Sequence, residues 1–324
     1  MPERLPAAFK TVFLFLLLSA CADLNTAKIN MTARRYDAAR ADFEYLAAHG
    51  FPQGQTKLGE MYQDGMGVPP DPAKALALFH QAEATENYPP AILDIGKAYR
   101  NGEGVRQNAA TAKKYYQRAL DLGCIQAYVQ LGLLEQDARK FDSAARWFGI
   151  GLAHGDTGAW YAFGNLHIEQ HKLKEAENDF KNSLAAGDDM AWFGFGRVHA
   201  LQGKYAQAES DFLKAYQATG QADAFVQIGE VQLLEHKYAA AETSYKQALA
   251  AGIPRAALKI GALYRDGMGR PVDGAKALFW FYRAHAMGAP DTDIKIMRAE
   301  RKLQPEQLAE ALKQFHVWQK GGEK

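Results

Sequence analysis

A glycine preceded by an apolar residue recurs along this chain at Gly59, Gly96, Gly132, Gly164, Gly196, Gly229 and Gly261, in steps of 37, 36, 32, 32, 33 and 32 residues. A period of this size marks a repeat array, in which each unit buries its apolar face only by stacking on its neighbours. Each glycine stands midway along a stretch of helical periodicity, as in Lys57-Leu58-Gly59-Glu60-Met61-Tyr62. Glycine inside a helix costs about 1 kcal/mol against alanine. Seven in register need a reason, and close approach of two helix backbones is the expected one.

A second signature follows each glycine: a basic residue, a large apolar one, alanine three on, then an aromatic four further. It reads Lys140-Phe141, Ala144, Phe148; Lys172-Leu173, Ala176, Phe180; Lys204-Tyr205, Ala208, Phe212; and Lys237-Tyr238, Ala241, Tyr245. A lone copy, Arg35-Tyr36, Ala39, Phe43, stands near the start. Spacings of three and four put these side chains on one helix face, turned to a neighbouring helix. Seven residues after the aromatic comes Gly50, Gly123, Gly155, Gly187, Gly252 or Gly288. Glycine there predicts a left-handed cap ending the second helix.

Three repeats have a longer turn of the form Tyr-x-x-Gly-x-Gly: Tyr62 to Gly67, Tyr99 to Gly104 and Tyr264 to Gly269. With Lys74-Ala75 and Phe79, and Lys276-Ala277 and Trp280-Phe281, these units resemble Sel1-like repeats. The middle repeats lack the loop and resemble tetratricopeptide repeats. The resemblance covers roughly residues 30–288. Periodicity and resemblance together predict an all-α fold, a right-handed superhelical α-solenoid of about seven helix-turn-helix repeats with capping helices. The expected division is a lipoprotein signal peptide over 1–20, an N-terminal anchor and cap over 21–34, the solenoid over 35–288, and C-terminal capping helices and tail over 289–324. In that last segment Asp291 to Leu303 has helical period and Pro305 opens a final helix, Glu306 to Trp318.

The first twenty residues read as a targeting segment. Arg4 and Lys10 precede an apolar run from Val12 to Leu18, too short for the roughly 20 residues that span a bilayer. Leu18-Ser19-Ala20-Cys21 then resembles the bacterial lipoprotein signal, which implies a diacylglycerol on the Cys21 sulfur and cleavage before it. Ala22 at the next position implies sorting to the outer membrane of a Gram-negative cell. Only Cys124 would then remain, so no internal disulfide is expected.

The rest of the chain offers little for catalysis. With 38 basic against 37 acidic residues there is no basic surplus for nucleic acid. The Gly-x-Gly turns join two helices, whereas a phosphate-binding turn should follow a strand. His167 and His171 have metal-ligand spacing on one helix, but by register His167 replaces Tyr62, Tyr99 and Tyr264, and His171 replaces Gly203 and His236. A packed ring and a turn residue account for both. Glu177, Glu209 and Glu242 read as solvated helix face, Trp147, Trp160, Trp192 and Trp280 as core, Cys124 as a packing residue, and Trp318 as a candidate partner contact. No catalytic, cofactor or metal site is expected.

A solenoid instead offers a concave face lined by first helices. The resemblance to tetratricopeptide repeats places on it the residue after each conserved glycine and the one three before. These are Glu60, Lys97, Tyr161, Asn165, Phe193, Arg197 and Glu230, with Leu93 and Val226 beside them. Their variation in charge and size fits one large protein partner better than a repetitive ligand. The lipid anchor with these repeats resembles the periplasmic scaffold lipoprotein of alginate secretion systems. That resemblance implies an outer-membrane scaffold facing the periplasm that assembles an exopolysaccharide export complex. Its partners would be a β-barrel exporter and polysaccharide-modifying proteins. A regulatory or host-interacting Sel1-like lipoprotein is the alternative, and a hydrolase of glycan or cell wall lacks a visible acid–base pair.

Overall fold

The computed structural model describes residues 24–33 and 35–321, and among these there are helices and turns but no strand. The signal segment, Arg4, Lys10 and Cys21 lie outside the described residues. After a short helix α1 (24–32) and α2 (Tyr36–Ala48), the first helices of the repeats are α3 (Pro52–Asp64), α5 (Pro89–Asn101), α7 (Ala127–Asp137), α9 (Ala159–Glu169), α11 (Ala191–Leu201), α13 (Asp223–Leu234) and α15 (Arg255–Asp266). Their second helices are α4 (Pro72–Glu86), α6 (Ala109–Asp121), α8 (Phe141–Ala153), α10 (Leu173–Ala185), α12 (Tyr205–Thr219), α14 (Tyr238–Ala250) and α16 (Gly274–Ala286). Two further helices, α17 (Thr292–Glu300) and α18 (Pro305–Gln319), end the chain. This is the paired-helix α-solenoid that the spacing predicts.

The mid-helix glycines seat rings, and at Gly132 and Gly261 they also bring in the backbone carbonyls of Ala144 and Ala277, at 3.2 Å from where a Cβ would stand, so the expected backbone approach is secondary to the ring seat. A Cβ on Gly59 would stand 2.5 Å from a ring carbon of Phe79. The same 2.5 Å separates Gly96 from Tyr116, Gly164 from Phe180 and Gly261 from Phe281, and Gly132 and Gly229 meet Phe148 and Tyr245 likewise. All of these rings are at most 1% exposed. Full burial of such a side chain contributes about 1.5–3 kcal/mol, which outweighs the helix penalty of the glycine beneath it. Phe180 is gripped from both sides, because Gly194 of the next first helix also abuts its ring.

The turns follow from capping chemistry. Gly50, Gly123, Gly155, Gly187, Gly252 and Gly288 have φ between 77° and 89°, as expected of left-handed caps. Two second helices lack that glycine and end one residue later, on Asn87 (φ 49°) and Gly220 (φ 73°). In the short-turn hairpins the left-handed residue is Arg139, His171, Gly203 or His236. The lysine after it returns its N–H to the first helix, Lys172 to the His167 carbonyl at 2.8 Å and Lys204 to that of His199 at 2.9 Å. In the long-turn hairpins Asp71, Asn108 and Asp273 cap the second helix, each accepting from the N–H three residues on. Their own N–H groups donate to the carbonyls of Tyr62, Tyr99 and Tyr264, closing the loop. The second glycine of each loop, Gly67, Gly104 or Gly269, then lies on the first residue of the preceding second helix: Tyr36, Pro72 or Tyr238.

The structure divides into two compact units between Ala162 and Phe163, within α9. In the first, Phe43, Leu46 and Met61 form the core beneath α1, whose Ala27 is buried with them. In the second, α16 packs against both α17 and α18. Trp280 is buried; Trp147, Trp160 and Trp192 are half-buried, Trp147 against the edge of a core cluster. Trp318 is half-buried too, stacked on Phe315 at 5.7 Å, with the Arg283 guanidinium 5.1 Å from its ring. Among the described residues no helix is long and apolar enough to cross a membrane.

Candidate protein-binding face

The residue after each ring-seating glycine lies next to the buried seat, where packing sets no residue type. In the first unit Glu60 on α3 and Lys97 on α5 are both half-buried. The Lys57 ammonium donates to Glu60 at 2.7 and 2.6 Å, and the Lys97 ammonium to Asp94 at 2.7 Å. Burial pushes the Glu60 carboxyl above its ordinary range, the bond from Lys57 opposes this, and Asp94 and Lys97 both act on it. The two expected residues therefore belong to one four-charge cluster spread over neighbouring first helices. Leu93 is buried, so it supports this cluster from below and does not present a surface. Tyr161, on α9, is half-buried.

In the second unit Asn165 and Arg197 meet directly, the guanidinium donating to the Asn165 side-chain oxygen at 2.5 Å. Glu230 pairs with Lys259 of the next first helix at 2.6 Å, and Asp223 with Arg255 at 2.7 Å. Lys259 and Arg255 stand two and six positions before Gly261, outside the register positions that gave Glu230, so the sequence did not single them out. Phe193 is half-buried, edge-to-face with Phe212 at 5.2 Å. Val226 is buried and takes no part in the surface. The buried Tyr245 phenol lies by Glu230, and burial together with that carboxylate raises its pKa far above the ordinary value. At this repeat the face carboxylate thus borders the ring seat.

Three other expectations resolve here. His167 is more than a packed ring: it pairs through Nδ1 with Asp179 at 2.5 Å, and His199 pairs with Asp211 at 2.6 Å one repeat later. Burial raises the Asp179 carboxyl although the bond to His167 works to lower it. His171 is turned into the interhelix bend with φ 58°, and no group of three His, Cys, Asp or Glu residues among those described could hold a metal. Glu242 is not solvated. It is 9% exposed, accepts from Arg270, and pairs with Lys246 at 2.9 Å. The loop of the following repeat carries Arg270 over it, which a reading confined to its own helix does not reveal. Cys124 is a buried free thiol, raised by burial.

The three hairpins with the long capped loop, α3–α4, α5–α6 and α15–α16, coincide with matches to the Sel1 repeat family at residues 52–84, 89–124 and 254–288. These are Sel1 repeats. A search of curated proteins found no match. Among solved structures, a protective antigen of uropathogenic Escherichia coli with the Sel1-like repeat fold is 20% identical, over 91% of this chain and 83% of that one, with TM-score 0.40. A Sel1 repeat protein from Oxalobacter formigenes is also 20% identical, over 81% and 96%, with TM-score 0.39. Yeast Tom70 superposes with TM-score 0.61 at 13% identity, over 86% of this chain and 61% of its own, which shows a shared helical-repeat fold. Sel1 and tetratricopeptide repeat proteins are generally interaction scaffolds, since a stack of hairpins displays an extended surface.

Proposed function

We propose that this chain is a periplasmic scaffold anchored to the outer membrane through a diacylglycerol on Cys21. It holds the protein components of an exopolysaccharide export complex beside a β-barrel exporter. The observation that carries the scaffold reading is the non-repeating face above the repeating ring seats. Residues one position from the glycines change from Glu60 to Lys97 and from Asn165 to Arg197 to Glu230, while the rings below stay aromatic. A surface with fixed packing and varied, mixed charge suits a single protein partner whose potential complements it. Support for the lipid anchor comes from the residues before Cys21, and support for export from the resemblance of the anchor-plus-repeat layout. The His–Asp pairs and Glu242 are bonded into the helix stack, so the chain's part is binding and positioning.

The test is capture of an outer-membrane barrel by the lipidated protein after cross-linking in cells, compared with the variants Phe193→Glu and Arg197→Glu. Export assembly predicts that a barrel exporter is recovered with the wild type and lost with both variants at unchanged helicity. Equal recovery with either variant sinks the face assignment, and absence of any barrel sinks the export reading.

A further inference from the structure

The repeat register breaks at α17. This helix has nine residues, carries no glycine to seat a ring, and packs against α16. Between them lies a groove of about 870 Å³, toward the upper end of the roughly 300–1,000 Å³ of ligand sites. Its floor includes Ala277, Phe281 and Leu303. Leu303 is fixed there by Gly274, on which a Cβ would come within 2.6 Å of it. Val272 and Ile294 line the groove and stand 69% and 53% exposed. Large apolar side chains this open beside a recessed apolar floor signal a covered surface.

The charge lining this groove is mostly positive. Arg265, Lys295, Arg298 and Lys302 line it, against Asp291 as the one carboxylate among the lining residues. Arg265 is committed to Asp266 at 2.7 and 2.6 Å, and Lys302 acts on that same carboxylate. Lys295 donates only to the Asp291 carbonyl, at 3.2 Å. Arg298 has no hydrogen bond or ion pair among the described residues. In a chain with formal net charge +1 this excess is local.

We propose that the groove binds an acidic segment of a partner protein, its carboxylates meeting Lys295, Arg298 and Lys302 and its apolar side chains entering between Val272 and Ile294. A phosphate or other small anion would leave the apolar lips and floor unused. A lipid surface would need apolar groups projecting past the cations, whereas this floor is recessed. The groove shares α15 with the first-helix face through Arg265 but none of that face's residues, so either assignment can fail without the other.

The experiment uses the full chain in detergent and a fluorescein-labelled peptide, Leu-Glu-Glu-Leu-Leu-Glu-Glu-Leu-Glu, read by anisotropy. Analogues carry Gln for Glu or Ser for Leu. Binding is expected to weaken at least about tenfold in the double variant Arg298→Glu, Lys302→Glu, in Ile294→Ser, and with either analogue, while Lys114→Glu, exposed on α6, binds as the wild type. Far-UV dichroism and melting of these surface variants should be unchanged. The proposal is overturned if the peptide fails to bind, if the double variant binds it equally, or if the Gln analogue binds equally. It is also overturned if the same cations instead govern sedimentation with phosphatidylglycerol vesicles while the peptide is ignored.

Discussion

The ring of Phe212 fills the volume that a Cβ on Gly196 would require, with two of its carbons 2.7 Å from that point. The ring is 1% exposed and has nowhere to retreat. Gly196→Ala gains about 1 kcal/mol of helix propensity but overpacks a closed site, which costs about 1–3 kcal/mol, so a net loss of up to about 2 kcal/mol is expected. Combined with Phe212→Leu, the same alanine should become neutral or stabilising, because the contact it violates is gone. Chemical denaturation of the two single variants and the double variant measures this. Additive losses would mean that the glycine serves something other than the ring.

Two loop glycines with similar backbones should respond differently. Gly104 has φ 69°, and a Cβ there would run into the carbonyl of Pro72, whereas Gly123 has φ 87° and open space. An L-residue in the left-handed region costs roughly 1–2 kcal/mol. Gly123→Ala should lose about that much. Gly104→Ala adds a backbone collision and should lose about 3 kcal/mol or more. Thermal melts compare them, and equal losses would show that the loop does not bear on the preceding helix.

Glu242 makes the array sensitive to acid. Burial works to raise its carboxyl, but the bonds from Lys246 and Arg270 prevail and hold it below its ordinary 4.5. A carboxylate with a lowered folded pKa adds stability above its unfolded pKa and loses it as the pH falls through the folded one. Glu242→Gln should therefore cost about 1–2 kcal/mol near pH 7. The difference from wild type should shrink steadily below about pH 4.5. Urea midpoints between pH 3 and 7 check this, and a difference that does not vary with pH would show that Glu242 acts by packing alone.

Most of the fold was legible because the repeat states each constraint several times. A single glycine such as Gly196 means little, but seven with a ring 16–20 residues later place every hairpin. The ring seat is not legible in the glycines themselves, since sequence spacing shows that space is needed and not which atoms occupy it. Asn87 and Gly220 escape the cap pattern because both stand one position late and the first also changes residue. The site was less legible. Arg270 reaches Glu242 across 28 residues, from a loop whose direction only its capping by Asp273 and its seat on Tyr238 determine. The groove beside α17 arises where the period stops, and there the repeat ceases to inform.

The anchor can be tested apart from every hairpin. Burying acyl chains contributes about 0.8 kcal/mol per CH₂, and one chain holds a protein only marginally while two hold it stably. Cys21→Ser removes the sulfur that would carry the diacylglycerol and changes nothing between α1 and α18. The variant is expected to leave the membrane pellet for the soluble periplasmic fraction, and its mass should lack the acyl groups of the wild type. Its melting curve should match that of the wild-type protein in the same detergent, because Cys21 precedes the packed helices. Wild-type protein found soluble, or a Cys21→Ser variant that still pellets with the membrane, would refute anchoring at this residue, while the prediction for Gly196 and Phe212 would stand.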